Sequence, residues 1–302
     1  MSARYASPFG RVTNAITVDV EDYFHASAFD RVVPRSAWDD YESRVVANTH
    51  RLLDLFDEQN VKGTFFVLGW VAKKFPELVR EIAARGHELA SHGYHHQLVY
   101  MLTPAQFRDD IRRAKGTIEQ AGGTRVRGYR APSFSIVRSS LWALDVLIEE
   151  GHTYDASIFP IHHDRYGIAD APRAAHVIQR GSGSIVELPG STVRIGSTNY
   201  PIAGGGYFRL FPYAATKWGI SRVNSREGEP VVLYIHPWEV DPDQPRVRGV
   251  SVKSRFRHYV NLERTHERLA RLSREFRWDR MDKVFGIGQR ELTAALPQYA
   301  VA

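Results

Sequence analysis

Strand-like and helix-like segments alternate along the first two thirds of the chain, and few folds accommodate that rhythm. "NAITVDV" is a short apolar run suited to a buried strand. Helical spacing follows over residues 44–59, with Val46, Leu53 and Phe56 on one face, and "KGTFFVLG" is a second strand. "FPELVREIAARG" is a compact helix with Pro76 in its first turn and Gly86 as its stop, and "HELAS" is a short strand after it. In "TPAQFRDDIRRAKGTIEQAGG", Thr103 caps a helix whose stripe is Phe107, Ile111, Ala114 and Ile118, and a glycine pair ends it. The strand "VRGYRAP", the helix "SSLWALDVLIEEG" and the strands "HTYDASIFP", "SIVELPG" and "PVVLYIHPW" bring the strands to seven. Alternation of this kind requires parallel strands joined by crossover helices. The expectation is an α/β fold: a distorted or incomplete (β/α) barrel of about seven parallel strands, with residues 1–245 as the barrel and 246–302 as a basic, helical C-terminal extension packed on the same domain. Residues 190–206 are rich in Gly, Ser, Thr and Pro and are expected to form a long loop near a site.

Composition removes several chemistries. The absence of cysteine excludes disulfides, thiolate nucleophiles and Cys-based metal sites, so any metal must use His and carboxylate. No apolar run approaches the ~18–20 residues of a membrane span, and the first residues show no apolar leader segment. A cytoplasmic protein is the expectation, with contact at the inner face of a membrane as a further option. Between 246 and 283 there are 12 Lys and Arg against 5 Asp and Glu, within a chain of net charge +6. That segment could meet an anionic partner such as a lipid phosphate; "NLERTHERLARLSREF" also reads as a solvated helix with interleaved charges. No nucleic-acid motif accompanies the charge, and no nucleic-acid partner is expected.

Ionisable residues gather where the strands end: "TVDVEDYFH", "SHGYHH", "YRAPSF", "YDASIFP" and "LYIHPWE". In a parallel barrel these ends share one face, where active sites are built. His92 and His96 are four apart, so a helical turn there would present both rings on one side at metal-chelating spacing. A carboxylate from the first strand end would complete three ligands and leave a position for water. Strand alternation puts Glu21 on the face of Asp19, while Asp22 lies where the strand turns, so both are candidates. His25 and the His162–His163 pair read as loop residues, and His95 as flanking the site or exposed. The glycines at 204–206 suit either a turn or close approach of a substrate to the backbone.

The series Asp19 with Glu21 and Asp22, His92-x-x-x-His96, Arg130-x-Pro132, Asp155-x-Ser157-x-x-Pro160 and Leu233-x-x-His236 resembles, in order and spacing over about residues 14–240, the five-motif signature of the NodB-type polysaccharide deacetylases, carbohydrate esterase family 4. The wordings "TVDVEDYFHASAF", "GYRAPSFS", "YDASIFP" and "GGGYFRL" resemble the branch associated with exosortase and exopolysaccharide gene clusters. The resemblance implies Asp19 as catalytic base and His92 and His96 as ligands of a divalent metal. It also implies Arg130 as the partner orienting the base, Asp155 as the carboxylate tuning the catalytic histidine, and His236 as general acid. The family commonly has two adjacent aspartates; here Val20 fills the second place, which leaves Glu21 or Asp22 as the carboxylate ligand. Pro132, Phe134, Tyr94 and Trp238 are the candidate sugar-facing residues, with Tyr94 and Phe134 reading equally well as packing at the barrel mouth.

The implied activity is removal of N-acetyl groups from N-acetylhexosamine units of a polysaccharide or lipid-linked glycan in exopolysaccharide biosynthesis. Zn2+ is the expected metal, with Co2+ or Ni2+ suited to the same ligands. Hydrolysis of a small cyclic or linear amide, of the allantoinase kind, and a non-catalytic glycan-binding role are the alternatives. The sequence carries no sign of an oligomeric state.

Overall fold

Seven short strands lie side by side in one direction. The computed structural model describes residues 12–289 and 294–300; the reading that the chain begins without an apolar leader falls largely on residues 1–11, outside them. Strand β1 (Thr13–Val20) is followed by helix α1 (Val45–Glu58) and β2 (Thr64–Val67). Next come α2 (Gly69–Lys74), α3 (Pro76–Ala84), β3 (Glu88–Ser91) and α4 (Pro104–Gly122). Strands β4 (Gly128–Tyr129) and β5 (Tyr154–Asp155) flank α5 (Trp142–Glu149). After them the chain forms β6 (His176–Arg180), β7 (Gly183–Glu187), β8 (Thr192–Ile195) and β9 (Thr198–Pro201). Helices α6 (Gly205–Leu210) and α7 (Tyr213–Arg222) precede β10 (Val232–Ile235). The chain continues through α8 (Val252–Tyr259), α9 (Leu262–Glu275), β11 (Arg277–Asp279), α10 (Met281–Val284) and β12 (Gln298–Ala300).

The parallel run is β10-β1-β2-β3-β4-β5-β7. Beyond β7 the sheet continues through antiparallel β6 and then β12, while β11 pairs with the start of β1. Among the described residues no pairing joins β10 to β7, so the barrel stays open. The expected α/β barrel of about seven parallel strands is what forms. Thr103 accepts from Gln106 N to cap α4, and Gly123 closes that helix in the left-handed conformation at φ 63°. One expectation changes: within the supposed loop at 190–206, β8 and β9 pair as a hairpin around Gly196 (φ 61°), because Val193 and Ile195 alternate with polar residues across a glycine turn.

Period-two alternation on β1 divides its side chains. Ile16, Val18 and Val20 pack outward against Leu52, Phe56, Leu269 and neighbours from the helices. Ala15 faces inward with Phe66, Ala90 and Val232, where Met281 and Phe285 from the C-terminal segment fill the lower interior. Thr17 and Asp19 continue the inward face upward. In register, Val20 pairs Val67, Val67 pairs Ser91, Ser91 pairs Tyr129, Tyr129 pairs Asp155 and Asp155 pairs Glu187. The strand ends therefore stand at one level, and the loops and turns leaving them meet above the sheet.

Asp155 and Glu187 lie side by side at that level, both fully buried. Ser157 donates to Asp155 from Oγ (2.5 Å) and from N (3.3 Å), and Ile158 N donates to Glu187 Oε1 at 3.0 Å. Burial, and then the charge of Asp155, push the Glu187 carboxyl well above the usual range, against smaller opposing pulls from the Ile158 N–H and then Arg130. A carboxyl raised on folding contributes stability at low pH. That contribution fades as pH rises from the ordinary carboxyl range toward the folded value, at up to about 1.4 kcal/mol per pH unit. Glu187→Gln fixes the neutral form. Thermal unfolding should show little difference from wild type near pH ~4 and a variant more stable than wild type near pH ~8. A difference independent of pH would contradict this ionisation.

Candidate metal centre and active site

The turn after β3 brings His92 and His96 together without a helix. Gly93 adopts φ 74° and His96 itself φ 51°, so the expected helical turn is replaced by a loop using left-handed positions. A non-glycine residue held there carries backbone strain of the kind found at functional sites. The two imidazoles and Glu21 offer one ligand atom each, all within 4.8 Å of one another, and all three residues are buried. His96 Nε2 lies 2.8 Å and His92 Nε2 4.0 Å from Glu21 Oε2. Apart from this contact with His96, no donor among the described residues reaches Glu21 Oε2.

Supporting contacts fix His92 and Glu21, while His96 Nδ1 is buried with no partner among the described residues. The His92 Nδ1–H donates to the Arg130 carbonyl at 2.8 Å, which leaves the unprotonated Nε2 lone pair on the side of Glu21. Burial pulls His92 down to about 4, so it is neutral at pH 7. Trp238 Nε1 donates to Glu21 Oε1 at 3.2 Å. Burial alone would raise the Glu21 carboxyl, but His96, His236 and His92 around it hold it well below the usual range. A buried carboxylate oxygen with no donor beyond His96, beside two imidazoles, fits a divalent cation with three protein ligands and an open position.

Asp19 flanks this cluster. Arg130 Nη1 donates to Asp19 Oδ1 at 2.6 Å and to Thr17 Oγ1 at 2.8 Å, while its guanidinium lies over the Phe66 ring. Opposite stands His236, with Nε2 3.9 Å from Asp19 Oδ2 and 3.8 Å from Glu21 Oε1. Its Nδ1–H donates to Glu239 Oε2 at 3.1 Å. Burial would lower His236, but Glu239 first, then Glu21 and Asp19, push it up to about 9. Glu239 in turn accepts from Arg209 Nε at 2.7 Å, and against its burial Arg209 and His236 hold it at about 2. A Cβ on Gly205 would overlap the Glu239 carboxylate and one on Gly204 the Tyr234 ring, so these two glycines permit the close seating of α6, while Gly206 faces open space.

These groups share a cleft of about 190 Å³ lined also by Ser133, Phe134, Tyr166 and Tyr234. Asp19, Glu21, His92, His96, His236, Phe134 and Trp238 all line it, and Arg130 lies just behind Asp19. Four expectations are corrected. Asp155 binds Ser157 and does not reach His236; the carboxylate on that histidine is Glu239. Asp22 points away, accepting from Ser43 Oγ (2.5 Å), Arg44 N (3.0 Å) and Val45 N (3.3 Å) at the start of α1. Tyr94 is buried against Gly69 beneath the Arg113 guanidinium, outside the cleft. Pro132 is buried in the turn that carries Ser133 and Phe134, both at positive φ, into the cleft wall. His25 is buried among Phe24, Trp38 and Trp70 and accepts from Asp22 N. His162 is exposed, and His163 stacks on Tyr166.

Glu239 and Arg209 were not singled out from sequence. The three-residue step from His236 to Glu239 on a turn was the available signal; nothing local marks Arg209. The two carboxylates after β1 should separate cleanly. Glu21→Gln should abolish uptake of one divalent ion per chain, measured by elemental analysis, while leaving thermal stability without metal little changed. Asp22→Ala should retain uptake and cost about 1–2 kcal/mol of stability through the lost cap. The reverse pattern would exclude Glu21 as the ligand.

Two family profiles match the chain: "Polysaccharide deacetylase" over residues 33–147 and "Domain of unknown function (DUF3473)" over 156–286. A chitooligosaccharide deacetylase from Sinorhizobium fredii is 32% identical over 172 residues, covering 52% of this chain and 76% of that protein. A peptidoglycan-N-acetylglucosamine deacetylase from Bacillus cereus is 33% identical over 98 residues, covering 32% of this chain and 36% of that protein. The chain thus spans little more than a third of the Bacillus cereus relative. A crystal structure of a Mycobacterium smegmatis protein assigned to the polysaccharide deacetylases superposes with a TM-score of 0.61 at 23% identity, covering 97% of this chain and 95% of that one, and shows the same fold. The motifs, the fold and the similarity to the Sinorhizobium protein over three quarters of its length agree: the chain belongs to the NodB-type polysaccharide deacetylase family.

Proposed function

We propose that the protein is a metal-dependent hydrolase that removes acetyl groups from N-acetylhexosamine units of a glycan made for export as exopolysaccharide. The observation that carries this reading is the Glu21–His92–His96 donor set with Asp19 and His236 on the same cleft. The metal is taken as zinc, which His and carboxylate ligands suit; cobalt and nickel are accepted by the same set. A divalent ion bound there polarises the acetamide carbonyl and makes water more acidic.

The protein's own groups supply positioning and proton transfer. Asp19, held by Arg130 through Oδ1, keeps Oδ2 toward the cleft to take a proton from water as the water oxygen adds to the acetamide carbon. His236, with Nδ1–H on Glu239, presents Nε2 to the departing nitrogen. Protonating that nitrogen as the C–N bond breaks releases acetate and a free amine, and an amide needs this step because its leaving group is poor. Glu239 and Arg209 act as positioning residues through His236. Trp238 serves Glu21 in the same way and offers its ring edge to a sugar.

A glycan suits the cleft better than a small cyclic amide. The 190 Å³ space shares Ser133, Tyr166 and Tyr234 with a neighbouring cavity of about 310 Å³, and Ser27 with a groove of about 1000 Å³. A polymer could therefore run through, with one acetamide at the metal. The proposal places the reaction in the cytoplasm, on a glycan carried at the inner face of the membrane; no helix among the described residues is long and apolar enough to cross a membrane.

Zinc-loaded protein should release acetate from N-acetylhexosamine oligosaccharides. Asp19→Asn should lower kcat by about 10²–10⁴ with bound zinc unchanged. Glu239→Gln should lower kcat with KM and zinc content little altered. Absence of acetate release from every N-acetylated glycan offered, or an Asp19→Asn variant as active as wild type, would refute the reading.

A further inference from the structure

Next to the catalytic cleft, and continuous with it through Ser133, Tyr166 and Tyr234, lies the cavity of about 310 Å³. One wall is a stack of rings. Phe159 lies behind Tyr166 (6.1 Å, 18°), the His163 ring lies on Tyr166 (3.9 Å, 20°), and the Tyr166 and Tyr207 hydroxyls meet at 3.0 Å. Facing it are two exposed arginines from distant segments, Arg165 in the loop after β5 and Arg257 on α8. Neither guanidinium has a hydrogen-bond or salt-bridge partner among the described residues. Most other arginines here do, as with Arg138 on Asp170 and Arg173 on Glu227. The nearest acid in sequence, Asp164, is turned to His163 at 3.1 Å and does not line the cavity. Asp30, the acid of the adjoining groove, shares that groove with Arg31, Arg35 and Arg165.

Both arginines sit on fixed supports. The helix bearing Arg257 is tied down where the buried Arg209 donates from Nη1 to the His258 carbonyl (2.8 Å) and the Val260 carbonyl (3.0 Å). The loop bearing Arg165 is held where Ile168 N donates to the Phe159 carbonyl at 2.9 Å. Rings and hydroxyls alone would accommodate a neutral sugar. Two planar guanidiniums without a hydrogen-bond or salt-bridge partner among the described residues, lining the same cavity as these rings, match an oxyanion, a carboxylate or a phosphate, which they can bind through paired N–H donors.

We infer that the cavity lined by Arg165, Arg257, Tyr166 and Tyr207 is a subsite for an anionic group carried by the substrate next to the N-acetylhexosamine in the catalytic cleft. The inference rests on the deacetylase reading for what occupies that cleft. The shared chemistry is an oxyanion; its source is either the carboxylate of a neighbouring hexuronate or the diphosphate that links a sugar to a lipid carrier.

Calorimetric binding to zinc-loaded protein in an Asp19→Asn background avoids turnover. The probes are chitotetraose, a tetrasaccharide alternating N-acetylglucosamine with glucuronate, and N-acetylglucosamine 1-diphosphate esterified to a short prenyl alcohol. At least one acidic probe should bind about tenfold more tightly than chitotetraose, and which one does identifies the source. Arg165→Glu with Arg257→Glu should erase that preference and leave chitotetraose binding unchanged; the milder Arg165→Gln with Arg257→Gln guards against charge reversal disturbing the fold. Acidic probes binding no better than chitotetraose, or a preference that survives both double variants, would overturn the subsite. If the arginine-dependent preference is present while the otherwise wild-type protein releases no acetate from any probe, the subsite stands and the deacetylase reading falls.

Discussion

Two carboxylates at the end of one strand, Asp19 and Glu21, are each only 2% exposed, and the surrounding site is arranged around them. A buried charge is tolerated only when it is paired and hydrogen-bonded. Arg130 from the end of β4 meets Asp19, and Thr17, itself donating to the Leu233 carbonyl, accepts the same guanidinium. Glu21 is met differently, by two imidazoles and an indole N–H, with one oxygen lacking any donor beyond His96. The first carboxylate is thereby fixed by protein alone, while the second keeps an oxygen that, on the proposed function, a cation would take. In the proposed mechanism this difference separates the role of a base from that of a ligand between residues two positions apart.

The other half of the cleft depends on residues far along the chain. His236 is held by Glu239, Glu239 by Arg209, and Arg209 by carbonyls at the end of α8. On the other side of the same turn, Trp238 lies between His236 (5.1 Å, 20°) and His258 (4.1 Å, 12°) in a stack. Arg209 and Glu239 are both almost completely buried, so removing one partner would strand the other charge, at a cost of about 3–5 kcal/mol. The basic C-terminal segment therefore contributes to the site by bracing it, independently of any partner its exposed arginines meet.

Much of this was legible in the sequence because it follows from periodicity. Alternation on β1 places Asp19 and Glu21 on one face, and parallel strands bring their ends to one level. The motif residues Asp19, His92, His96, Arg130 and His236 come together on that account. What escaped reading depends on side-chain direction in irregular backbone. His92 and His96 meet through positive-φ positions that no helical rule describes. Tyr94 sits within the histidine cluster yet turns outward against Gly69, and Asp22 caps a helix that starts more than twenty residues later. The spacing from His236 to Glu239 was the only local pointer to that histidine's partner, and it does not exclude Asp155 until the fold sets Asp155 beside Glu187.

The central claim is that Glu21, His92 and His96 hold one divalent ion. Crystals grown with zinc and measured on both sides of its absorption edge test it without any substrate. The account predicts a single strong anomalous peak within ~2.0–2.2 Å of one oxygen of Glu21 and one nitrogen each of His92 and His96. A peak at Asp22 or at the His162–His163 pair, or no peak in the cleft, would contradict it.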